Sequence, residues 1–553
     1  MKTLFRAGIF VALYLLLSAC GGASQVTPVS VASPATLIPT SIPNRSATAT
    51  IEPAITSTRG LLTRPTLIPT IDPTSVPKLL REALSLQTLE GMNGYKIRKI
   101  TGWQYGFQEL PCCGYQWLDS NHLLLYPKTG EGMRPHQDGQ RKEDLSSQPV
   151  IMNLETGASW LPWSNISTSI YIARELGIVF QQEAYSSATG PIMDAVFTYT
   201  FDGKEITYYW GRILGVSPSG EKILVDDDTI IDLRNDKITD LTWHMDYDLE
   251  REPKLYWSSD ETRIYRCCFY FADLKTGESY NFEWGDLRGT DGKPVSSPMS
   301  GHSYGQWVRN DTYFLIEWNY FYDSSAHDIP MFSPSEKTYY DLVEKAGIPS
   351  DLFDLPTNSV YMVSPDEMYV WITGFSHVDG TYHSFLVNLT TFESTPYDSA
   401  VYKFTWSADS QFGWIDEYDT ADAYVLSVDS KELLPFPVNP RQENEALWHP
   451  TENVLAYTSK NDHTLALLNA KDMTVEEQEL PVSVTDFDWS PNGDRIRFTG
   501  TDGGLWQVDY PMFQHFEQIT GPMPDINEMF WSPDGNSIAF ISGSDIYIVD
   551  TIK

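Results

Sequence analysis

Short apolar runs with a period of two dominate the end of the chain. In the last example, 529–544, an aromatic run is followed by a Pro-Asp-Gly turn and then by Ser537–Ile541 and Ile546–Val549. Alternation of apolar and polar residues is typical of strands with one buried face. Pro533 fixes its own φ and Gly535 tolerates a positive φ, so the turn is specified locally. The pattern predicts three short strands.

The same pattern recurs along the chain at a regular spacing. Neighbouring clear matches lie 41 to 43 residues apart, which with four strands per repeat is the signature of a β-propeller. The repeats are marked by Trp117, Ala173, Val216, Trp257, Val308, Val363, Trp406, Trp448, Trp489 and Trp531. Ala173 and Val308 are weak matches, so eight or nine repeats are also compatible with the sequence. We therefore predict an all-β chain of about ten four-stranded units.

The last unit has only three strands before the chain ends. The segment Lys96–Thr101, which precedes the first unit, is predicted to supply the missing fourth strand. This pairing would close the ring and remove exposed sheet edges. We expect one large ring, with two smaller packed propellers as the alternative.

The turn Trp-Ser-Pro-Asp-Gly at 531–535, followed by Ile-Ala-Phe and Ile-Tyr-x-x-Asp, resembles the WD-like repeat of TolB-type propellers. The resemblance covers the chain from about residue 94 and implies a propeller over 94–553. It implies little about function, because propellers host binding, scaffolding and enzymatic roles.

The first twenty residues have the features of an export signal. Basic Lys2 and Arg6 precede an apolar run from Ala7 to Leu17, which is too short to span a bilayer. The following Leu-Ser-Ala-Cys resembles the lipobox of bacterial lipoproteins, in which Cys20 would carry the lipid. Several acyl chains on one residue would anchor the protein stably. We expect an exported protein held at the cell membrane or outer surface.

Residues 21–77 are rich in Ser, Thr, Pro and Ala, and Thr-Leu-Ile-Pro-Thr occurs twice, at 36–40 and 66–70. Such a composition buries too little apolar surface to offset its ordering entropy, which predicts a disordered tether. We expect 78–93 to form a boundary with a short amphipathic helix within 77–86.

Charge and motifs exclude several functional classes. The chain has 74 Asp and Glu against 38 Lys and Arg, a net charge of −36, which disfavours a nucleic-acid partner. No motif for a metal, nucleotide or other cofactor is present. Gly301-His-Ser-Tyr-Gly305 matches the G-x-S-x-G pattern of hydrolases but lacks the strand before it and the helix after it. We therefore predict no catalytic residue, no metal and no cofactor.

We label the strands of each unit A to D in chain order. The B–C and D–A connections then lie on one face, and the short A–B turns lie on the other. The long insertions all fall in the first group: Pro127–Gln148, Gln181–Asp194, Trp284–Gly305, Trp318–Pro330 and Thr373–His383. Loops on a rigid scaffold often carry binding residues. The candidate binding residues are the aromatic Trp318, Tyr320, Phe321, Tyr322, Phe375 and Tyr382 and the acidic Asp226, Asp227, Asp228, Asp416 and Glu417.

The sequence thus favours a membrane-tethered, non-catalytic propeller that binds a protein, peptide or glycan through this face. The first alternative is a glycan-processing enzyme that uses paired acids on the same face. The second is a purely structural protein of the cell envelope.

Two pairs of adjacent cysteines, Cys112-Cys113 and Cys267-Cys268, fall on the same face. Adjacent cysteines in an exported protein suggest disulfides, and their spacing is poor for zinc. In a ten-unit ring the pairs lie three units apart, whereas a disulfide requires Cα atoms within about 7 Å. Two small packed propellers would instead allow the pairs to bridge.

For a single ring we therefore predict the vicinal disulfides Cys112–Cys113 and Cys267–Cys268. Peptide mapping without reduction tests this prediction. Two peptides, each with an internal disulfide, are the expected result, and a peptide that links position 112 or 113 to 267 or 268 would contradict it.

Overall fold

The computed structural model of the chain describes most residues from Leu84 to Ile552. The described ranges are 84–101, 115–125, 150–160, 167–185, 193–225, 229–235, 237–241, 255–266, 270–281, 304–317, 329–349, 360–376, 378–397, 401–417, 422–437, 446–459, 463–511, 515–524 and 526–552. The predicted signal peptide and tether lie outside these ranges, as do all five cysteines.

Ten antiparallel sheets follow one another along the chain. Two strands come first, β1 (Ser85–Glu90) and β2 (Lys96–Thr101). Sheet 1 contains β3 (Tyr115–Trp117), β4 (His122–Leu125), β5 (Val150–Asn153) and β6 (Ser159–Trp160); sheet 2 contains β7 (Ser167–Ala173), β8 (Ile178–Tyr185), β9 (Met193–Thr200) and β10 (Glu205–Trp210). Sheet 3 contains β11 (Ile213–Val216), β12 (Lys222–Val225), β13 (Thr229–Asp232) and β14 (Lys237–Asp240); sheet 4 contains β15 (Leu255–Trp257), β16 (Arg263–Arg266), β17 (Tyr270–Asp273) and β18 (Glu278–Asn281).

The middle sheets have the same composition. Sheet 5 contains β19 (Tyr304–Val308), β20 (Tyr313–Glu317), β21 (Pro330–Ser333) and β22 (Thr338–Asp341); sheet 6 contains β23 (Val360–Val363), β24 (Tyr369–Phe375), β25 (Tyr382–Asn388) and β26 (Ser394–Tyr397). Sheet 7 contains β27 (Val401–Trp406), β28 (Phe412–Glu417), β29 (Ala423–Ser427) and β30 (Glu432–Pro435). The helix α1 (Leu342–Lys345) follows β22, and short 3₁₀ turns lie at Met92–Gly94 and Arg174–Leu176.

The last sheets complete the series. Sheet 8 contains β31 (Leu447–Trp448), β32 (Val454–Thr458), β33 (Thr464–Asn469) and β34 (Thr474–Glu479); sheet 9 contains β35 (Val484–Trp489), β36 (Arg495–Gly500), β37 (Leu505–Asp509) and β38 (Phe516–Gln518). Sheet 10 combines β39 (Ile526–Trp531), β40 (Ser537–Ser542) and β41 (Asp545–Asp550) with both N-terminal strands, in the order β1-β2-β41-β40-β39.

The predicted closing strand is confirmed. β2 pairs antiparallel with β41, with Ile97 opposite Val549 and Ile100 opposite Ile546. Ile100 and Ile546 are fully buried in one cluster with Leu123 and Met152 of sheet 1. The first and last sheets of the chain therefore pack on each other.

Each of the remaining pairs of consecutive sheets also packs together through an apolar layer. Sheets 4 and 5 pack through the stacked rings of Tyr265 and Phe314, whose centroids lie 4.0 Å apart. The order of contacts is cyclic, so the protein is a single ten-bladed propeller. The alternative of two smaller propellers is wrong. Two rings would break the series of packed neighbours, whereas here each sheet packs on the next and sheet 10 packs on sheet 1.

The tryptophan at or near the end of many A strands has a recurring role. Its Nε1 donates a hydrogen bond to a carbonyl oxygen in the A strand of the preceding sheet, which ties adjacent blades together near the central channel. The pairs are Trp117 with Phe530 (3.1 Å), Trp307 with Tyr256 (3.2 Å), Trp406 with Met362 (3.0 Å), Trp448 with Thr405 (3.1 Å) and Trp489 with Leu447 (3.1 Å). The repeating tryptophan therefore joins blades as well as filling the core.

A row of polar side chains crosses sheet 9 on the side that faces the closing sheet. Strand register places Asp488 opposite Arg497, Arg497 opposite Gln507, and Gln507 opposite Glu517. Arg497 is 2% exposed and donates to the carbonyl oxygen of Met529 in β39, at 2.8 Å. Buried polar groups need such partners, although Nε and Nη1 of Arg497 and Oε1 of Gln507 are buried without one. The hydrogen bonds that the row does make favour one register over its alternatives.

The N-terminal segment completes this row. Tyr95, which precedes β2, accepts a hydrogen bond from Gln507 Nε2 at 2.8 Å and donates one to Glu517. Burial, followed by the hydrogen bond to Glu517, raises the pKa of the Tyr95 phenol. The closing strand is thus held by polar contacts to sheet 9 as well as by its own ladder.

Two expectations differ from the structure. Ser85 and Leu86 lie in β1, a fifth and outermost strand of sheet 10, and not in the predicted helix. Leu84 and Leu86 share a period of two and pack on the cluster between sheets 10 and 1, which favours a strand. The predicted insertions Gln181–Asp194 and Thr373–His383 include the ends of lengthened strands, β8 with β9 and β24 with β25. No helix in the described part of the chain is long and apolar enough to cross a membrane.

Candidate functional site

The two faces of the ring differ in their connections. All ten A–B turns contain four or five residues, whereas the B–C and D–A connections range from two residues to more than twenty. Sequence variation in loop length is tolerated where it does not disturb packing. We call the side with the variable connections the loop face and the other side the turn face.

The turn face is fastened by side chains at the ends of the A–B turns. Asp311 in sheet 5 accepts hydrogen bonds from the backbone nitrogen (2.9 Å) and the hydroxyl (2.7 Å) of Ser259 in sheet 4. Glu261 accepts from the backbone nitrogen of Ser219 at 2.6 Å, and Ser410 accepts from that of Asp366 at 3.0 Å. These side chains satisfy backbone donors of the preceding blade, so their role is structural.

Glu367 occupies the corresponding place in sheet 6, where its φ is 62°. Its carboxyl group receives backbone hydrogen bonds from Asn310 and Asp311, but its Oε2 is buried without a partner. Burial, followed by the charge of Asp311, raises the pKa of Glu367 to about 7. Sequence reasoning missed this group, although an acid where other repeats have glycine was a usable signal.

On the loop face, sheet 6 carries a long hairpin formed by β24 and β25. The ladder continues to its tip, where Phe375 lies opposite Tyr382. Val378 at the tip is 71% exposed and Tyr382 is 39% exposed. Exposed apolar side chains on a rigid hairpin are a typical feature of binding surfaces.

Three polar residues form a cluster at the tip of this hairpin. His383 Nε2 lies 2.9 Å from Asp379 Oδ2 and 3.2 Å from Thr381 Oγ1, and Thr381 Oγ1 donates to Asp379 Oδ1 at 2.8 Å. The hydrogen bonds from Thr381, and then from His383, hold the pKa of Asp379 well below its usual range. A catalytic triad uses both ring nitrogens of the histidine, one for each partner, whereas here both partners meet Nε2. The cluster stiffens the hairpin and does not have the geometry of a triad.

The acidic pair of the next blade is divided between two sides of its sheet. Asp416 and Glu417 are consecutive in β28, so their side chains project in opposite directions. Glu417 lies on the side of Ile415, which packs against sheet 6, and Asp416 lies on the side of Trp414, which packs against sheet 8. Burial raises the pKa of Asp416, partly offset by Lys403. These two acids therefore do not form a pair in one pocket.

Strand register places Tyr382 and Glu417 on the facing sides of sheets 6 and 7, near the loop face. Tyr382 lies on the same side of β25 as Leu386, which packs against sheet 7. Tyr424 in β29 completes the groove, and its pKa is raised by burial, then by the nearby carboxylates of Glu417 and Asp422. We define these residues, Tyr382, Glu417, Asp422 and Tyr424, as the 6–7 groove. Within it, the ring of Tyr424 lies near the carboxylates of Glu417 and Asp422.

Of the remaining candidate residues, Phe375 alone belongs to the described part of the chain. The following lie outside the described residues: Trp318, Tyr320, Phe321, Tyr322, Asp226, Asp227, Asp228, Cys112, Cys113, Cys267, Cys268, Cys20 and Ser303. Phe375 lies in β24 opposite Tyr382. Tyr424 and Asp422 were missed by sequence reasoning, because the local pattern does not show which side of β29 faces sheet 6.

No His, Cys, Asp or Glu side chains within the described ranges are grouped so as to hold a metal ion. The prediction that the chain has no cofactor stays a prediction.

Similarity to known proteins is seen at the level of solved structures. No protein-family model and no curated protein matches the chain. Among solved structures, an oligogalacturonate lyase in complex with manganese is 9% identical, with 84% of this chain and 96% of that chain covered and a TM-score of 0.32. The C-terminal WD40 domain of Sif2 is 13% identical (68% and 93% covered, TM-score 0.31), and the Dos1 propeller is 14% identical (62% and 92% covered, TM-score 0.33). Likenesses at this level concern the fold alone and do not extend to ligands or activities.

Replacement of Glu367 by Gln should change the pH dependence of stability. Because the pKa in the folded state lies above that in the unfolded state, the folding penalty is absent below about pH 4.5 and grows until about pH 7. The upper limit of this penalty on the free energy of unfolding is about 3 kcal/mol. Because Glu367 is partly exposed to solvent, we expect a penalty of about 1 to 2 kcal/mol. Glu367→Gln should therefore raise the free energy of unfolding at pH 8 and change it little at pH 5.

Urea unfolding of the wild type and the variant at both pH values measures this effect. Glu393→Gln, at an exposed turn of the same sheet, is the control and should be neutral at both. An equal change at pH 5 and pH 8 would contradict the assignment.

Proposed function

We propose that this protein is a non-catalytic binding propeller, tethered to the cell envelope, that engages a protein, peptide or glycan through its loop face. The observation that carries the proposal is the 6–7 groove, where Tyr382 of the long hairpin and Glu417 lie on the facing sides of sheets 6 and 7. Tyrosine offers a flat amphipathic surface at low entropic cost, and a carboxylate adds orientation through hydrogen bonds.

The contrast between the two faces supports the same proposal. On the turn face, the carboxylates of Glu261 and Asp311 accept hydrogen bonds from backbone nitrogens of the preceding blades. The loop face instead carries connections that differ from blade to blade and are free to diverge for recognition. A purely structural role would not require such a difference between the connections of the two faces.

The tether is the second part of the proposal and rests on the sequence. The N-terminal motif ending at Cys20 and the Ser/Thr/Pro-rich segment 21–77 would link the ring to a membrane. Since β1 and β2 lie at the outer edge of sheet 10, the chain enters the propeller from its rim. It enters on the loop-face side of that rim, because Ser85, where β1 begins, pairs with Thr101 at the loop-face end of β2.

Binding through the 6–7 groove predicts a loss of partner capture in the double variant Tyr382→Ala/Glu417→Gln. Full-length protein in detergent is used to capture ligands from an envelope extract, followed by quantitative mass spectrometry for proteins and glycan analysis. Truncation of an aromatic anchor commonly costs 1 kcal/mol or more, so we expect at least about a fivefold reduction.

Thr391→Ala/Glu393→Gln provides a matched control, since it alters the same blade on the turn face. It should capture the same ligands as the wild type. Equal capture by all three proteins would contradict a binding role for the 6–7 groove.

The anchor is tested separately by Cys20→Ala. This change should release the protein from membranes or leave an unprocessed precursor, because the acyl chains supply the anchoring energy. Unchanged membrane partition together with normal processing would refute the lipoprotein assignment.

A further inference from the structure

The A–B turn of sheet 8 begins with a different kind of residue from most of the other A–B turns. Six sheets have a serine directly after the anchor residue of the A strand: Ser217, Ser258, Ser364, Ser407, Ser490 and Ser532. Each of these hydroxyls accepts a hydrogen bond from the backbone nitrogen five residues later, at 2.8 to 3.1 Å. Sheet 8 has His449 at this position. A group that can take up a proton near neutral pH therefore replaces a hydroxyl that does not.

The hydrogen bonds of His449 require a neutral imidazole. Its Nδ1 accepts from the backbone nitrogens of Thr451 at 3.1 Å and Glu452 at 2.9 Å, so this nitrogen carries no hydrogen. Its Nε2 lies 3.0 Å from the carbonyl oxygen of Gly493 in sheet 9, which can only accept. The ring therefore donates from Nε2 and accepts at Nδ1. A second proton, on Nδ1, would face two N–H donors.

The ring of His449 also joins two blades. It is 3% exposed and packs on Trp489 and Tyr510 of sheet 9, with centroid distances of 4.7 Å and 5.1 Å. A Cβ atom at Gly493, where φ is 75°, would lie 2.2 Å from Nε2, so the imidazole fills the space beside this glycine. The hydroxyl of Tyr510 donates to Glu452 Oε2 at 2.8 Å. We call turn 449–452 and these contacts with sheet 9 the 8–9 joint.

The charged groups around the 8–9 joint do not favour a second proton strongly enough to offset burial. Burial lowers the pKa of His449, and the hydrogen bond to Gly493 and then the charge of Glu452 offset this only in part. In the described part of the chain, no carboxylate accepts a hydrogen bond from His449. The other titratable groups on the elements packed here are Asp509, Tyr510, Asp494, Arg495 and Glu476.

These other groups have partners or stay neutral. Arg495 forms ion pairs with Asp494 at 3.6 Å and with Asp509 at 3.5 Å. Burial, followed by the hydrogen bond to Glu452, raises the pKa of Tyr510 to about 12. His449 is therefore the group of the joint that changes charge between pH 7.5 and pH 5.0.

We propose that the 8–9 joint is acid-sensitive and opens locally when the imidazole of His449 takes up a second proton. Nδ1 then carries a hydrogen and loses both backbone donors, and the turn must open to bring the imidazolium into water. An exposed histidine has a pKa of about 6.5, and that of His449 in the closed joint lies lower. The closed joint is therefore fully favoured above about pH 6.5 and is progressively disfavoured as the pH falls below that value.

Native-state hydrogen exchange of full-length protein in detergent, at pH 7.5 and pH 5.0, tests the proposal. Rates are corrected for the pH dependence of chemical exchange and read in peptides that cover 446–459. Because an exposed histidine binds its proton about thirtyfold in favour at pH 5.0, local opening should rise by about threefold to thirtyfold. Peptides that cover the turn 407–412, which is capped by Ser407, serve as the internal reference and should not change.

Two variants assign the effect to His449. His449→Asn keeps an acceptor oxygen close to the place of Nδ1 but does not titrate, so the rise at pH 5.0 should disappear. His449→Ser/Thr451→Asp restores the Ser-Pro-Asp turn found at 364–366 and 532–534, and should have the same effect if the first variant does not fold. His463→Asn changes an exposed histidine of the same sheet and should keep the wild-type response.

Three results would overturn the proposal. The first is opening at 446–459 that is the same at both pH values in the wild type. The second is an equal rise in the wild type and in both His449 variants. The third is an equal rise at 407–412, which would indicate general loosening of the ring. The inference does not depend on the 6–7 groove, because His449 lies on the turn face between other blades.

Discussion

The pairing of β2 with β41 is the interaction on which the rest of the structure depends. A ring of sheets has no exposed edge only if its last blade is complete, and the last blade here takes its outer strands from the start of the chain. The register Ile97 to Val549 also places Ile100 in the layer that joins sheets 10 and 1. Completion of one blade and closure of the ring are therefore one event.

Closure is specific because polar and apolar contacts agree on one register. The apolar layer alone would tolerate a shift by two residues, since a strand keeps its faces under such a shift. Tyr95 and Gln507 make that shift costly, because their hydrogen bond would be lost and Gln507 is 5% exposed. Polar side chains here determine the position of a strand whose burial is provided by isoleucines.

The sequence predicted the fold well, because the repeat carries its own local specification. The Pro-Asp-Gly turn and the alternation at Ser537–Ile541 predict their strands without knowledge of the other blades. β1 was missed because Leu84 and Leu86 gain their burial from sheets far away in the sequence. The same reason applies to the site: Tyr382 and Glu417 belong to different blades, and only the fold shows that they lie on facing sides of sheets 6 and 7. Local patterns do not report such contacts.

Native-state hydrogen exchange, read peptide by peptide, tests the closed ring most directly. If the N-terminal strand completes the last blade, amides of Lys96–Thr101 and Asp545–Asp550 should be protected together, with the same free energy of opening as core strands such as Ser537–Ser542. Rapid exchange of Lys96–Thr101, while Asp545–Asp550 and Ser537–Ser542 stay protected, would contradict closure by this strand.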